Sequence, residues 1–275
     1  MTLPINQFLI GDNVDVLMTI DSDSVDLVVT SPPYGKLMKN EQYCVEYNFC
    51  ELKAELYRVL KPGGQLCWNE MDQAHDGNES GLSFRHCIAF QDYGFNLVRT
   101  IIYAKLGGPR VGDIRLLNPS HEYIFWLSKG FPKTVNILKD IPNISAGRIR
   151  GFSTHRDKKG KKKLSKQLNT GDYGGRNTVW SYGTGIGNSY DASECKMFDN
   201  FPAPMPQKLA GDLIQSFSNP GDVVLDPFGG AGTTAKMAMK LNRNFIYIEI
   251  IPANAIIAKK RVAPYINKID QWVQK

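Results

Sequence analysis

The sequence predicts an α/β fold, and three observations carry that prediction. Gly221-Asp-Val-Val-Leu225 is a β-branched run bounded by glycine and reads as a buried strand, Asp226-Pro-Phe-Gly-Gly-Ala-Gly-Thr-Thr234 follows as a glycine-rich turn, and Ala235-Lys-Met-Ala-Met-Lys240 reads as a helix. Asp26-Leu-Val-Val29 is a second buried strand, closed by Thr30-Ser-Pro-Pro-Tyr34. Between Phe49 and Leu60 the apolar residues Leu52, Leu56, Val59 and Leu60 recur at helical spacing until Lys61-Pro-Gly-Gly64 stops the helix, after which Gly64-Gln-Leu-Cys-Trp68 resumes as strand. Buried strands alternating with helices are the pattern of a sheet covered on both faces.

The first element in chain order is Gln7-Phe-Leu-Ile-Gly-Asp12, a short strand that hands over to a helical stretch through Val14, Val16, Leu17 and Ile20. Asp12 there has two readings, a cap for the helix or an acid placed at a strand end for a ligand. Pro32 and Pro33 fix φ, remove amide donors and push the preceding residue away from helix, so the loop they form is extended and stiff. Ser83 to Tyr93 reads as helix. Gly94 to Tyr103 and His121 to Leu127 are strand-like runs expected to pair as an antiparallel edge.

From about Asn136 to Asp199 the apolar periodicity fades and Gly, Ser, Asn and Lys accumulate. Arg156 to Lys166 carries seven basic residues against one acid, with Tyr173, Trp180, Tyr182 and Tyr190 nearby. A solvated loop and a polyanion-binding surface both fit such a run. Phe201-Pro-Ala-Pro-Met-Pro-Gln-Lys-Leu-Ala210 then leads into a helix containing Leu209, Leu213, Ile214 and Phe217. Asn244-Phe-Ile-Tyr-Ile-Glu249 is a strand ending in an acid, about twenty residues beyond the glycine turn, where an acid accepts hydrogen bonds from ribose hydroxyls.

At 275 residues and 42% hydrophobic, the chain can bury a sizeable core as one α/β domain with an inserted module. No apolar run reaches membrane-spanning length, and the start Met1-Thr-Leu-Pro-Ile-Asn6 lacks a basic region followed by an apolar segment, so a soluble cytoplasmic protein is expected. Five cysteines form no Cys-x-x-Cys pair and leave an odd count, which indicates neither a zinc cluster nor a disulfide framework, and no metal site is expected. The formal charge of +6 is compatible with a polyanion partner and does not by itself select one.

Together, Asp226 to Thr234 and Ser31-Pro-Pro-Tyr34 resemble the DNA amino-methyltransferases that use S-adenosylmethionine, and their order, target-base motif first and donor motif last, is similar to the circularly permuted β class. The resemblance implies a Rossmann-like methyltransferase fold, a doubly wound, mostly parallel seven-stranded sheet with an antiparallel edge strand. It divides the chain into a catalytic half at 1–135, a target-recognition insert at 136–200 and a cofactor-binding half at 201–275. It implies catalytic roles for Ser31, Pro32, Pro33 and Tyr34. It places the methyl donor on Asp12, Thr30, Pro202, Pro204, Lys208, Asp226, Pro227, Phe228, Gly229, Gly230, Gly232, Thr233 and Glu249. Phe201 stands where the family often has His, which leaves only the Pro-x-Pro-x-Pro geometry at that point. Lys158, Lys159, Lys161, Lys162 and Lys163 are the expected DNA contacts.

The implied substrate is double-stranded DNA in a prokaryotic or phage cytoplasm, at the nucleoid. A cognate restriction endonuclease and a homodimer stay open. Methylation at carbon 5 of cytosine needs a thiolate, usually presented as Pro-Cys, and none of the five cysteines follows a proline. Amino-nitrogen chemistry is therefore preferred. Ser31 in place of Asp is similar to the N4-cytosine members, although Ser-Pro-Pro-Tyr also occurs among N6-adenine enzymes. The rival readings are a nicotinamide oxidoreductase using the glycine turn and Glu249, a catalytically inactive nucleic-acid-binding protein, and an RNA amino-methyltransferase.

Overall fold

The computed structural model describes residues 3–33, 47–75, 77–107, 117–150, 154–164, 168–185, 187–197 and 204–266. Two compact units emerge, one formed by 1–136 with 178–275 and a smaller one by Ile137–Asn177.

The larger unit is built on an eight-stranded sheet. Its strands are β1 (Gln7–Ile10), β2 (Val25–Thr30), β3 (Leu60–Glu70), β4 (Asn96–Leu106), β5 (His121–Ser128), β6 (Val179–Gly183), β7 (Val223–Asp226) and β8 (Asn244–Glu249). The spatial order is β1-β8-β7-β2-β3-β5-β4-β6. Only β5 runs against its neighbours, pairing antiparallel with both β3 and β4.

The expected antiparallel pair is present, but β5 lies inside the sheet and not at its edge. The expected seven strands become eight, because Val179-Trp-Ser-Tyr-Gly183 adds a parallel strand beyond β4, in register from Val179 opposite Ile102 to Gly183 opposite Leu106. Alternation explains that addition: Trp180 and Tyr182 are buried on the core side while Val179 and Ser181 are exposed.

Among the described residues the α-helices are α1 (Asn13–Met18), α2 (Phe49–Val59), α3 (Leu82–Tyr93), α4 (Gln207–Phe217), α5 (Thr233–Lys240) and α6 (Pro252–Ile266), which cover the sheet. Successive strand side chains alternate faces, and the core divides accordingly. Val28, Leu66, Trp68, Leu225, Ile246 and Ile248 pack with Leu17, Leu52, Leu56 and Phe90 of α1 to α3. Leu27, Val29, Cys67, Val224, Phe245 and Tyr247 pack with Leu213, Ala238, Ala258 and Val262 of α4 to α6. Each fully buried aliphatic side chain contributes on the order of 1.5–3 kcal/mol. Helices on both faces leave the strand interiors apolar on both sides, which is why β2 and β7 lack a polar alternation.

The smaller unit contains three antiparallel ladders nested one inside the next. Lys139–Pro142 pairs with Tyr173–Gly175, Ile149–Arg150 with Leu168–Asn169, and Thr154–Arg156 with Lys162–Leu164. The three ladders are nested in sequence as a two-stranded ribbon, and the innermost of them, with the lysine run, is its tip. Asp157 shapes that tip, since Oδ1 accepts from the amides of Lys159 (2.9 Å) and Lys161 (3.0 Å). Outside 149–150 and 168–169, every described residue of the unit is exposed or half-buried. At the other end of the ribbon, Arg176 Nε donates to Asp140 at 2.8 Å. This unit ends at Asn177, and Val179–Gly183 beyond it is a strand of the large sheet.

Candidate functional site

Consecutive members of the sheet order β1-β8-β7-β2-β3 end at one rim, and each delivers a polar residue there. Asp12 follows β1, Glu249 ends β8, Asp226 ends β7, Thr30 and Ser31 end β2, and Asn69 and Glu70 end β3. In open α/β sheets the crevice beyond the carboxyl ends of the strands is where ligands bind. The two signature segments of the sequence therefore meet side by side, since β2 and β7 pair directly through Val28 opposite Leu225.

Their junction is a hydrogen bond. Thr30 Oγ1 donates to Asp226 Oδ1 at 2.7 Å across 196 positions of sequence, and the Phe228 amide donates to the same oxygen at 3.1 Å. Thr234 Oγ1 donates to the Val29 carbonyl at 3.2 Å and fastens the start of α5 to β2. Asp226 is 5% exposed. Burial pushes its carboxyl up to about 6, hydrogen bonds from Thr30 and the Phe228 amide hold it down in part, and the charge of Glu249 raises it further.

Glu249 secures the glycine turn. Its Oε2 accepts from the Gly230 amide at 2.8 Å and its Oε1 from the Ile251 amide at 2.9 Å. Asp12 caps α1, with Oδ1 accepting from Val14 N at 2.8 Å and Asp15 N at 3.3 Å. The capping reading of Asp12 is thus realised, and its place at the rim keeps the ligand reading in play. Gly229 and Gly232, which the resemblance places among the donor residues, each have a reason within the protein to be glycine. A Cβ on Gly229 would lie 2.3 Å from the Tyr247 ring, and one on Gly232, at φ +75°, would lie 2.6 Å from Ala258 Cβ. Pro227 is buried, and Thr233 begins α5.

Ser31 is half-buried, with Pro32 buried behind it and Pro33 half-buried. Asn69 Nδ2 donates to Ser31 Oγ at 3.2 Å and to Glu122 Oε2 at 2.6 Å, and Lys105 Nζ pairs with Glu122 Oε1 at 2.7 Å. This chain of polar groups was not singled out from the sequence. The one available signal was Asn69-Glu70 closing an otherwise apolar strand. Phe228 meets Tyr47 at a ring-centroid distance of 4.8 Å and Trp68 at 6.2 Å, which adds an aromatic wall beside the turn. Glu70 stands behind that wall, accepting from Trp68 Nε1 at 2.9 Å, with His86 Nδ1 also 2.9 Å away.

Some sequence-derived positions join this rim less directly. Lys208 Nζ lies 3.1 Å from Asp212 Oδ2, one turn along α4, and that carboxylate also accepts from Tyr182 OH at 2.8 Å. Pro204 precedes α4 and is half-buried. Tyr34 and Pro202 lie outside the described residues. Lys158, Lys159, Lys161, Lys162 and Lys163 are all exposed on the ribbon tip of the smaller unit. Among the described residues no cluster of His, Cys, Asp and Glu is arranged to hold a metal ion, and no helix is long and apolar enough to cross a membrane.

Known proteins share this arrangement. A model of the N6/N4 DNA methylase family matches residues 25–260. The chain is 41% identical over 246 residues to the orphan methyltransferase M.BamHII of Bacillus amyloliquefaciens, covering 88% of this chain and 90% of that protein. The structure of a DNA modification methylase from Thermus thermophilus, complexed with S-adenosyl-L-methionine, aligns with a TM-score of 0.59 and 26% identity over 94% of this chain and 95% of that one. The PvuII DNA methyltransferase (cytosine-N4-specific) shares the fold with a TM-score of 0.66, at 21% identity over 94% of this chain and 87% of its own. With the matched model spanning both signature segments and the sheet between them, the chain belongs to the N6/N4 DNA methylase family.

Proposed function

We propose that this DNA methylase transfers a methyl group from S-adenosylmethionine to the exocyclic N4 of a cytosine turned out of double-stranded DNA. The observation that carries the reading is the Thr30–Asp226 hydrogen bond, which fixes the Ser31-Pro-Pro33 loop beside the glycine turn at one rim. Two buried carboxylates, Asp226 and Glu249, and the amide-rich start of α5 suit a donor that carries ribose hydroxyls and cationic groups. In this reading Asp12, Pro204, Lys208, Pro227, Phe228 and Thr233 complete the donor pocket. The donor supplies an electrophilic methyl on a sulfonium.

The harder partner is the amino nitrogen, whose lone pair is delocalised into the base. Ser31 Oγ and the Pro32 carbonyl accept hydrogen bonds from the amino hydrogens and favour a more tetrahedral nitrogen. Asn69 Nδ2 donates to Ser31 Oγ at 3.2 Å and so helps to orient that hydroxyl. Rigid alignment of donor and acceptor can lower the barrier by about 7–11 kcal/mol. The double proline supplies that rigidity on the base side.

Turning a base out costs a few kcal/mol and an aromatic stack returns about 1–3 kcal/mol. Tyr34 is the stacking face proposed from the sequence, and the lysine-tipped ribbon supplies phosphate contacts for the remainder. Order along the chain, target loop before donor turn, supports a circularly permuted member. A partner endonuclease and a homodimer belong to the same proposal.

The test is mass spectrometry of nucleosides from DNA treated with enzyme and donor. N4-methylcytosine is the expected product. N6-methyladenine would move the chain to the second reading, which shares every site residue, and product in RNA alone would overturn the substrate. Tyr34→Ala should retain donor binding and lose most turnover, read by single-turnover kinetics.

A further inference from the structure

Beneath the glycine turn lie three buried charges, Arg261, Lys236 and Glu194, joined by the exposed Asp191, that the transfer reaction does not use directly. Arg261 of α6 is 2% exposed, Lys236 of α5 1% and Glu194 7%. Arg261 Nη1 donates to the Ala231 carbonyl at 2.6 Å and to Thr233 Oγ1 at 3.1 Å, while its Nε donates to Glu194 Oε1 at 3.2 Å. Lys236 Nζ bridges Glu194 Oε1 (2.8 Å) and Asp191 Oδ2 (2.7 Å). Glu194 Oε2 accepts from the Asp191 amide at 3.0 Å. Asp191 in turn reaches the segment before α4, where Gln207 Nε2 donates to its Oδ1 at 3.4 Å, and the Gln207 amide donates to the Asn188 carbonyl at 2.8 Å.

One network thus anchors both stretches assigned to the donor, the glycine turn and the approach to Lys208. Two cations against two carboxylates leave it neutral, and burial makes Arg261, Lys236 and Glu194 expensive to remove. Hydrogen bonds from Lys236 hold the Asp191 carboxyl below its usual range. Burial raises Glu194, yet bonds from Lys236 and Arg261 overcome that and hold it low as well. Both acids are therefore ionised where the enzyme works. The Ala231 carbonyl sets the peptide plane joining residues 231 and 232, and with it the presentation of the amides that open α5. A planar guanidinium can hold that carbonyl, the Thr233 hydroxyl and a carboxylate at once, whereas an ammonium is a point charge without the fork.

We infer that Arg261, backed by Glu194, Lys236 and Asp191, is a positioning residue for the methyl donor, setting donor affinity by fixing the two donor-binding segments against each other. The inference rests on the proposed use of S-adenosylmethionine at this rim. The experiment compares full-length wild type, Arg261→Lys, Arg261→Met and Glu194→Gln. It measures S-adenosylhomocysteine affinity by calorimetry, KM for donor and DNA separately, kcat at saturating donor, and circular dichroism for the fold.

Arg261→Met is expected to raise the donor KM and the S-adenosylhomocysteine Kd by about tenfold or more, with kcat at saturating donor and KM for DNA within about twofold of wild type. Arg261→Lys should recover part of the loss, and Glu194→Gln should weaken donor binding without touching the turn itself. Donor constants within about twofold of wild type in a folded variant would overturn the inference, as would donor KM, DNA KM and kcat worsening together. If Arg261→Met does not fold, Arg261→Lys and Glu194→Gln decide by the same criteria. Wild type that binds no S-adenosylhomocysteine removes the proposed donor, and this inference with it, whereas normal wild-type binding with unaffected variants removes the inference alone.

Discussion

Asp226 shows how a single residue serves two ends. Its carboxyl titrates at about 6 in the fold against an ordinary 3.8, chiefly because burial disfavours the charge. A raised acid binds its proton more tightly folded than unfolded, so stability is highest below the ordinary value and falls as pH rises through about 6. Asp226→Asn keeps an acceptor for Thr30 and Phe228, both of which bond Oδ1, and removes the buried charge. The variant is expected to gain roughly 2–3 kcal/mol of stability at pH 7.5, and the gain should vanish near pH 4 in urea titrations. Donor affinity should move the other way. It should drop about tenfold or more in Asp226→Asn, and in wild type it should weaken as pH falls through about 6, a pairing that calorimetry between pH 5 and 8 can check. A wild-type affinity flat across that range would remove the ionised carboxylate from donor binding.

At the scale of an element, the glycine turn between β7 and α5 is shaped more by its protein neighbours than its composition suggests. Tyr247 fills the space beside Gly229 and donates from its hydroxyl to the Gly230 carbonyl at 2.7 Å, and α6 closes on Gly232 through Ala258. Gly229→Ala places a methyl against an aromatic ring that is itself fully buried, so the ring or the turn must shift. Such overpacking costs about 1–3 kcal/mol, measurable as a lower denaturation midpoint at unchanged slope. Donor affinity should fall with it. Gly221→Ala, at φ +89° but with open space around it, should cost only backbone strain and leave donor affinity unchanged.

For the whole molecule, neither core cluster includes a described residue of 137–177. Removal of the ribbon should therefore be thermodynamically mild. Replacing 145–170 by a Gly-Ser turn is expected to leave the thermal midpoint within a few degrees and donor binding intact, with DNA binding lost in an electrophoretic shift assay. A milder form exchanges Lys158, Lys159, Lys161, Lys162 and Lys163 for Gln. If each lysine meets a phosphate, the slope of log affinity against log salt should flatten by on the order of 4, at about 0.9 per contact. An unchanged slope would return the tip to the status of a solvated turn.

The strands and helices that carry the two signature segments could be read from the residues alone, because β-branched runs, glycine turns and proline stops act over a few residues. Asp226, Glu249, Thr30 and Ser31 were legible for that reason, each standing where a strand pattern breaks off. It took the folded chain to show that Thr30 bonds Asp226, that Asn69 and Glu122 back Ser31, that Val179–Gly183 adds a further strand, and that the lysine run tips a nested ribbon. Arg261 and Lys236 look in sequence like solvent-facing helix cations, and burial against Glu194 is what makes them structural. Local pattern reports what a segment prefers. Which distant segments become neighbours is set by sheet order and packing, where partners separated by as many as 196 positions share one hydrogen bond.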